Sequence, residues 1–377
     1  MLIKKLFCVV FFLILFTVPA YSAAESNVEI SAESAVVINA DTGEIIYSKK
    51  PFMTKSMAST TKIMTSLIAV ESGLLSQKVT VQDKILSEGT SIGLKEGNML
   101  TLEALVYGMM LESGNDAAEI TAEFFSGSEE RFSDLMNKKA YSIGMFNTNF
   151  VTASGLDSDE HYSTAYDMAL LGAYAVKNQV FRQFSSTDKK TVEFIEPQHK
   201  VTFSNHNKLL DSCEGVFGIK TGFTKKSGRC LVSACERNDI TLVAVTLNAP
   251  NDWNDHKKLY DACFSTLEVK EITFDIPAEI QIYGSECKTA SIKTDSDLYR
   301  YAYINEKDVE ILTLIPEVIY APIRIGDVLG EVRVISEGKT VYCSDITASE
   351  EVSSLVGTEY KKSFAQKIRL LLNKLKS

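Results

Sequence analysis

Histidine and proline are scarce in this chain, with four and seven among 377 residues. So few histidines, and no C-x-x-C pair, leave no zinc-type ligand spacing to read, and we expect no metal and no cofactor. Seven prolines and 20 glycines exclude Pro-rich linkers and collagen-like repeats, and no internal repeat is visible. Positive charge is in deficit: the net charge of −10 argues against a nucleic-acid partner. Beyond the N-terminal stretch no apolar run reaches the ~20 residues that a bilayer span requires. What is there is ordinary for a folded protein, with 45% hydrophobic and 23% charged residues. At about 100–200 residues per domain, the length suggests two domains or three.

The two ends differ from the middle. At the start, Lys4 and Lys5 precede an apolar run over 6–18 broken only by Thr17, and small residues gather at Ala20, Ser22, Ala23 and Ala24. This predicts a secretory signal peptide over 1–24, cleaved after Ser22, Ala23 or Ala24, and an extracytoplasmic protein. An uncleaved anchor is the alternative, which the short run disfavours. Export permits disulfides. Even so, Cys213, Cys230, Cys235, Cys263, Cys287 and Cys343 read better as buried free thiols than as a framework. At the other end, Phe364, Ile368, Leu371, Leu372 and Leu375 fall on one helical face. Lys361, Lys362, Lys367, Arg369, Lys374 and Lys376 stand around them. Residues 359–377 thus read as a basic amphipathic helix that docks on an anionic membrane surface, on the outer face of the cytoplasmic membrane. The alternative is a helix that packs on its own protein.

Between the ends, residues 34–48 alternate around Asp41-Thr42-Gly43, as a hairpin does. Helical spacing follows over 59–72, 102–110, 117–125 and 166–177. From Gly215 the pattern turns to strands, at 230–234 and 240–247, and 257–267 returns to helix. This predicts an α/β (α+β) domain over 25–268. Over 271–347 helical periodicity is absent, and short alternating runs are separated by turn signals at Gly326-Asp327 and Glu337-Gly338-Lys339. We read a small all-β domain there.

Three short motifs carry candidate chemistry. Ser59-Thr60-Thr61-Lys62 opens a predicted helix, and i and i+3 share a helix face, so an amine can stand beside a hydroxyl and act as its base. That requires a partly neutral Lys62, through burial or a neighbouring positive charge. Ser113-Gly114-Asn115 lies between two predicted helices, where Ser113 can relay a proton and Asn115 can hold a substrate amide. Lys220-Thr221-Gly222-Phe223 sits in the β-rich run. Lys220 and Thr221 offer donors to a carboxylate, Gly222 admits close backbone approach, and the N–H groups of Ser59 and Phe223 can form an oxyanion hole. Taken singly, each motif is equally a helix cap with a surface lysine, a polar turn, or an ordinary strand.

Their order is the signature set of serine penicillin-recognising enzymes. The chain resembles the low-molecular-mass penicillin-binding proteins, the D-alanyl-D-alanine carboxypeptidases of peptidase family S11. The likeness extends to segments 58–65, 112–118, 153–157, 161–171, 205–210, 215–224 and 321–327. The resemblance implies a serine β-lactamase/transpeptidase-like fold, with Ser59, Lys62 and Ser113 catalytic and Asn115, Lys220, Thr221, Gly222 and Phe223 binding substrate. The implied partners are peptidoglycan stem peptides ending in D-Ala-D-Ala, and β-lactam antibiotics. Two departures stand out: Phe223 replaces a histidine of some relatives, and segment 251–257 lacks an arginine that some relatives use as a second carboxylate anchor. If Lys220 does not hold the carboxylate, His256 is the next candidate. A class A-type β-lactamase is the alternative, although no E-x-x-L-N stands between 125 and 215. A non-catalytic penicillin-sensing or wall-binding protein is another.

Overall fold

Residues 28–82 and 88–355 are described by the structure, a computed structural model. The predicted leader and basic helix lie outside these residues. The predicted hairpin is present as β1 (Ser34–Asn39) and β2 (Ile45–Lys49). A 3-10 turn at Ala58–Thr61 runs directly into α1 (Lys62–Glu71). A ribbon of β3 (Lys78–Thr80) and β4 (Met99–Thr101) leads to α2 (Leu102–Met110), α3 (Asn115–Ser126), α4 (Glu129–Ile143), α5 (Ala165–Val176) and α6 (Gln179–Ser186). The hairpin β5 (Lys189–Phe194) and β6 (His199–Ser204) and a single turn, α7 (Leu209–Ser212), follow. Then come β7 (Val216–Thr224), β8 (Gly228–Arg237), β9 (Ile240–Leu247) and α8 (Asp252–Thr266). Helix α8 starts ahead of the expected residue 257. Asp252 and Asp255 occupy its first turn, where the helix dipole favours negative charge.

Five strands form one antiparallel sheet in the order β2-β1-β9-β8-β7. Successive side chains on a strand point to opposite faces. Val36, Ile38, Val232, Val243 and Val245 therefore join the core built with α1–α6. Ala35, Val37, Leu231, Leu242 and Ala244 pack instead with Leu259, Tyr260 and Cys263 of α8. Because both faces are covered, β9 reads as a nearly continuous apolar run rather than an alternation. β7 is an edge strand, and the 3-10 turn and α1 lie against it.

From Glu268 to Ala348 the described elements are all strands: β10 (Glu268–Thr273), β11 (Glu279–Tyr283), β12 (Thr289–Thr294), β13 (Leu298–Tyr303), β14 (Val309–Leu314), β15 (Ile319–Tyr320), β16 (Val328–Ser336) and β17 (Lys339–Ala348). β10 pairs with β13, and the others form a sheet in the order β14-β16-β17-β12-β11-β15. They enclose their own core, which includes Ile280, Ile292, Tyr301, Val332, Val334 and Ile346. The junction is specific: Ala302 packs into the core behind the first sheet, and Asn39 Nδ2 donates to its carbonyl at 3.2 Å. Arg300 adds an ion pair to Asp239 at 2.7 Å.

All six cysteines in the described residues are free thiols. Cys230, Cys235 and Cys263 are buried and Cys213 is partly so, but Cys287 and Cys343 are exposed. The expectation of burial fails for these two. Cys343 occupies an outward position on β17, and Cys287 lies between β11 and β12, in a region whose core covers one face of each strand.

Candidate active site

The site begins with an unusual backbone. Ala58 is fully buried and holds φ at 49°, a left-handed conformation that costs a non-glycine residue roughly 1–3 kcal/mol. It turns the chain into the 3-10 segment, in which residues i and i+3 eclipse. Ser59 and Lys62 are thereby stacked, with Lys62 Nζ 2.9 Å from Ser59 Oγ. The same nitrogen donates to Asn115 Oδ1 and to the Ser154 carbonyl, each at 2.7 Å.

Burial, reinforced by the positive charge of Lys220, holds the Lys62 amine well below the ordinary lysine range, with Asp116 opposing. A neutral amine has two N–H groups and one lone pair. The Ser154 carbonyl and Asn115 Oδ1 can only accept, so they take the two N–H groups. The Asn115 orientation is fixed independently, because its Nδ2 donates to the Glu88 carbonyl. The lone pair is left facing Ser59, whose hydroxyl then donates to it. This is the geometry of a hydroxyl beside its base.

The second motif joins α2 to α3. Ser113 is buried at φ 63°, and Asn115 is the first residue of α3. Asn115 spends both ends of its amide inside the protein, on Lys62 and Glu88, so its observed contact is with the base. Asp116 anchors the preceding loop, accepting from Ser91 Oγ at 2.6 Å and from the N–H groups of Ile92 and Leu94 at 3.0 Å.

The third motif lies on β7, as the β-rich run predicts. A Cβ built on Gly222 would stand 3.1 Å from Ser59 N and 3.0 Å from Thr60 N. Glycine thus lets the strand lie directly against the backbone that carries Ser59. Lys220 is buried, and burial lowers its pKa to about 7. Its Nζ donates to the Thr221 carbonyl at 3.1 Å. Thr221 is half-buried, and Phe223 projects into solvent at the end of the motif.

A loop over 151–161 closes the remaining side. A Cβ on Gly155 would come within 2.0 Å of the Ala58 carbonyl, so only glycine lets this loop approach closely enough to present the Ser154 carbonyl to Lys62. His161 organises it from behind. Its Nδ1 accepts from the N–H groups of Val151 at 3.0 Å and Thr152 at 3.3 Å. Nε2 therefore carries the proton and donates to Thr61 Oγ1, 2.8 Å away. Burial pushes the His161 pKa down to about 4, so the ring stays neutral. Asp157 ties the loop to both sides of the cleft, accepting from Ser56 Oγ at 3.2 Å and Thr224 Oγ1 at 2.9 Å.

A family profile described as D-alanyl-D-alanine carboxypeptidase, peptidase S11, matches residues 21–251. The chain belongs to this family. DacF of Bacillus subtilis (strain 168), a D-alanyl-D-alanine carboxypeptidase, is 31% identical over 335 residues, 85% of this chain and 86% of that protein. DacA of Escherichia coli (strain K12), with the same description, is 28% identical over 345 residues, 86% of this chain and 84% of that protein. Among solved structures, penicillin-binding protein 5 of Haemophilus influenzae superposes with a TM-score of 0.61 at 25% identity, covering 87% of this chain and 99% of that one. The Streptomyces K15 DD-transpeptidase gives 0.60 at 30% identity, covering 63% and 98%. The penicillin-binding fold expected from the motifs is thereby met.

In this S11 peptidase, segment 251–257 is occupied by structural work. Asp252 accepts from Arg229 Nε at 3.0 Å. Asp255 accepts from the N–H groups of Ser31 and Ala32 at 3.0 Å. His256, the sequence's second candidate for a carboxylate anchor, is fully buried behind the sheet, between Ser233 Oγ at 2.7 Å and Thr246 Oγ1 at 3.0 Å. Burial lowers its pKa to about 3, so it is neutral and has no cleft to reach. Three groups around Lys62 were not anticipated from the sequence: Ser154, whose carbonyl bonds its amine, and Asp116 and His161, which order the adjoining loops. Asp116 and His161 had a signal, one following the S-x-N motif and the other being one of four histidines. The Ser154 carbonyl had none, because a backbone oxygen leaves no mark on residue type.

Proposed function

We propose that this S11 peptidase is a serine-type D-Ala-D-Ala carboxypeptidase that removes the C-terminal D-alanine from peptidoglycan stem peptides through an acyl-enzyme. The observation that carries the mechanism is the buried Lys62 amine, 2.9 Å from Ser59 Oγ, with its other bonds committed to acceptors. Ser59 attacks the carbonyl of the penultimate D-alanine while Lys62 takes its proton. The oxyanion that develops is met by the N–H groups of Ser59 and Phe223. Ser113 passes the proton to the departing amine, which leaves as free D-alanine, and Lys62 is neutral again. Water then attacks the ester, with Lys62 accepting its proton and passing it to the departing Ser59 Oγ, which restores the hydroxyl and the neutral amine and frees the shortened peptide. Lys220, with Thr221, binds the terminal carboxylate. That carboxylate raises the Lys220 pKa, since an opposite charge favours the ammonium form. β-Lactams enter the same acylation step with no leaving amine to diffuse away. The test is intact-mass analysis after incubation with benzylpenicillin. One adduct on the wild type and none on Ser59→Ala is expected, and an adduct of normal yield on Ser59→Ala would reject the assignment.

The residue pattern of the two ends supports an extracytoplasmic site for this activity. Residues 1–24 act as a cleaved leader, and 359–377 hold the enzyme at the outer face of the cytoplasmic membrane. The pattern of Phe364 to Leu375 is too short to span a bilayer, which takes ~20 apolar residues. It suits the interface instead, where each basic residue contributes about 1 kcal/mol and salt screens it. Cosedimentation with anionic liposomes tests this: the mature chain should partition, and a chain ending at Gly357 should not. Equal partitioning would remove the membrane assignment.

A further inference from the structure

The β-rich region carries an apolar groove of about 710 Å³ that plays no part in the chemistry above. Leu314, Val318, Tyr320 and Val328 line it, with Glu331 and Asp345 along one side. Leu314, Glu331 and Asp345 stand abreast on β14, β16 and β17. Val328 is 60% and Tyr320 69% exposed. Exposed apolar residues gathered in this way and rimmed by charge are suited to cover by an apolar segment.

What leaves beside the groove is the chain's own C-terminal segment. Val352 pairs with Ile323, and the N–H of Leu355 donates to the Gly284 carbonyl at 2.8 Å. Gly284 follows Tyr283, whose register partner is Tyr320 of the groove. The last described residue is therefore next to the rim. Phe364 follows nine residues later, a stretch that reaches about 30 Å when extended. The apolar face from Phe364 to Leu375 would span about 17 Å as a helix. Its chemistry complements the groove: five large apolar residues and six cations against apolar walls and the Asp345 carboxylate, Glu331 being already paired with Arg333.

We propose that segment 359–377 seats in this groove when the enzyme is off the membrane. The apolar face covers Leu314, Val318 and Val328, and the basic residues lie toward Asp345. Groove and membrane then compete for one segment. The apparent membrane affinity is reduced by the fraction of molecules whose segment is free, so the groove sets how readily the enzyme attaches and keeps the apolar face from associating with other molecules.

The test uses the mature full chain and two groove variants, Leu314→Asp with Val328→Asp, and Asp345→Lys. All three positions are exposed or partly exposed, and a thermal melt checks the fold of each. Trypsin, without lipid, reads the segment through its six basic residues. Cleavage there should be several-fold faster in both variants than in the wild type. Partitioning onto anionic liposomes should rise several-fold in the variants, with D-alanine release from a soluble peptide unchanged. Equal trypsin rates would overturn the proposal. So would a fall in liposome partitioning, which would mean that the groove itself touches lipid. Protection that appears only at high protein concentration would assign the groove to a second copy's segment and would overturn it as well.

Discussion

Replacing Lys220 by methionine should make the protein more stable and less active. Lys220 is 1% exposed, and its pKa is lowered from 10.5 to about 7 by burial alone. One pKa unit is about 1.4 kcal/mol, so burying this amine takes roughly 4–5 kcal/mol from stability at pH 7 and below. Methionine keeps an apolar stem of similar length. It forfeits the bond to the Thr221 carbonyl, worth about 1 kcal/mol. The net gain is about 3–4 kcal/mol, or a melting temperature about 5 °C or more higher. Stability has a definite pH signature. Between the folded pKa of about 7 and the unfolded 10.5, the unfolded chain binds more protons, so wild-type stability rises with pH through that window. The gap between Lys220→Met and wild type should be largest at pH 7 and below, narrow above it, and by about pH 10.5 give way to a small advantage of the wild type from the bond to Thr221. Catalysis moves the other way. A charge-assisted contact to a carboxylate is worth about 1.5–3 kcal/mol, so kcat/KM should fall roughly tenfold to a hundredfold or more. Lys62 also loses the neighbouring charge that helps keep it neutral, so the acid limb of penicillin acylation should shift to higher pH. Denaturant titration across pH, together with acylation rates, measures both. A Lys220→Met protein that is less stable at pH 7, or whose gap does not change with pH, would refute the burial argument.

Other consequences follow from the same contacts. Gly155→Ala places a Cβ against the Ala58 carbonyl, so the loop must shift and withdraw the Ser154 oxygen from Lys62. Penicillin acylation should slow at least about tenfold, the equivalent of one lost hydrogen bond, as stopped-flow acylation would measure; an unchanged rate would exclude a role for that carbonyl. His161, at about 4 in the folded protein against 6.5 unfolded, binds fewer protons than the unfolded chain between those values. Its contribution is complete above pH 6.5 and is lost as pH falls toward 4, to the extent of roughly 3 kcal/mol. His161→Gln should therefore be less acid-sensitive in denaturant titrations at pH 7 and 4.5, even if it is less stable at pH 7. Phe223→His, at an exposed position, should leave acylation within about threefold if only the backbone N–H is used; a larger rise in β-lactam acylation rate would show that the side chain matters.

Much of this was legible in residue order, and the physical reasons are specific. Helices α2 and α5 announced themselves because each buries most of its residues and is flanked by threonine caps at Thr101 and Thr164. Helix α4 did not, because it buries only Phe132, Met136 and Ala140 on a largely polar surface. The hairpin β5–β6 was missed for a similar reason. It lies on the helices with much of its length exposed, so its alternation is weak. At the site, S-x-x-K was readable because i, i+3 spacing is a local property. What lowers the Lys62 pKa and orients its amine is not local: its burial, the charge of Lys220 and the carbonyl of Ser154 come from residues far apart in sequence. His256 shows the opposite error, a side chain that looked available by residue type and is sealed behind the sheet by tertiary structure.

The central claim is that Ser59, with a neutral Lys62 beside it, opens a D-Ala-D-Ala bond. The most direct measurement is incubation of the mature chain with a diacyl-D-Ala-D-Ala peptide while free D-alanine is assayed. The wild type should release one D-alanine per peptide, and Ser59→Ala and Lys62→Ala, both folded, should release none above background. Release at a normal rate by Ser59→Ala would contradict the claim. So would a wild-type protein that is acylated by penicillin and yet releases no D-alanine.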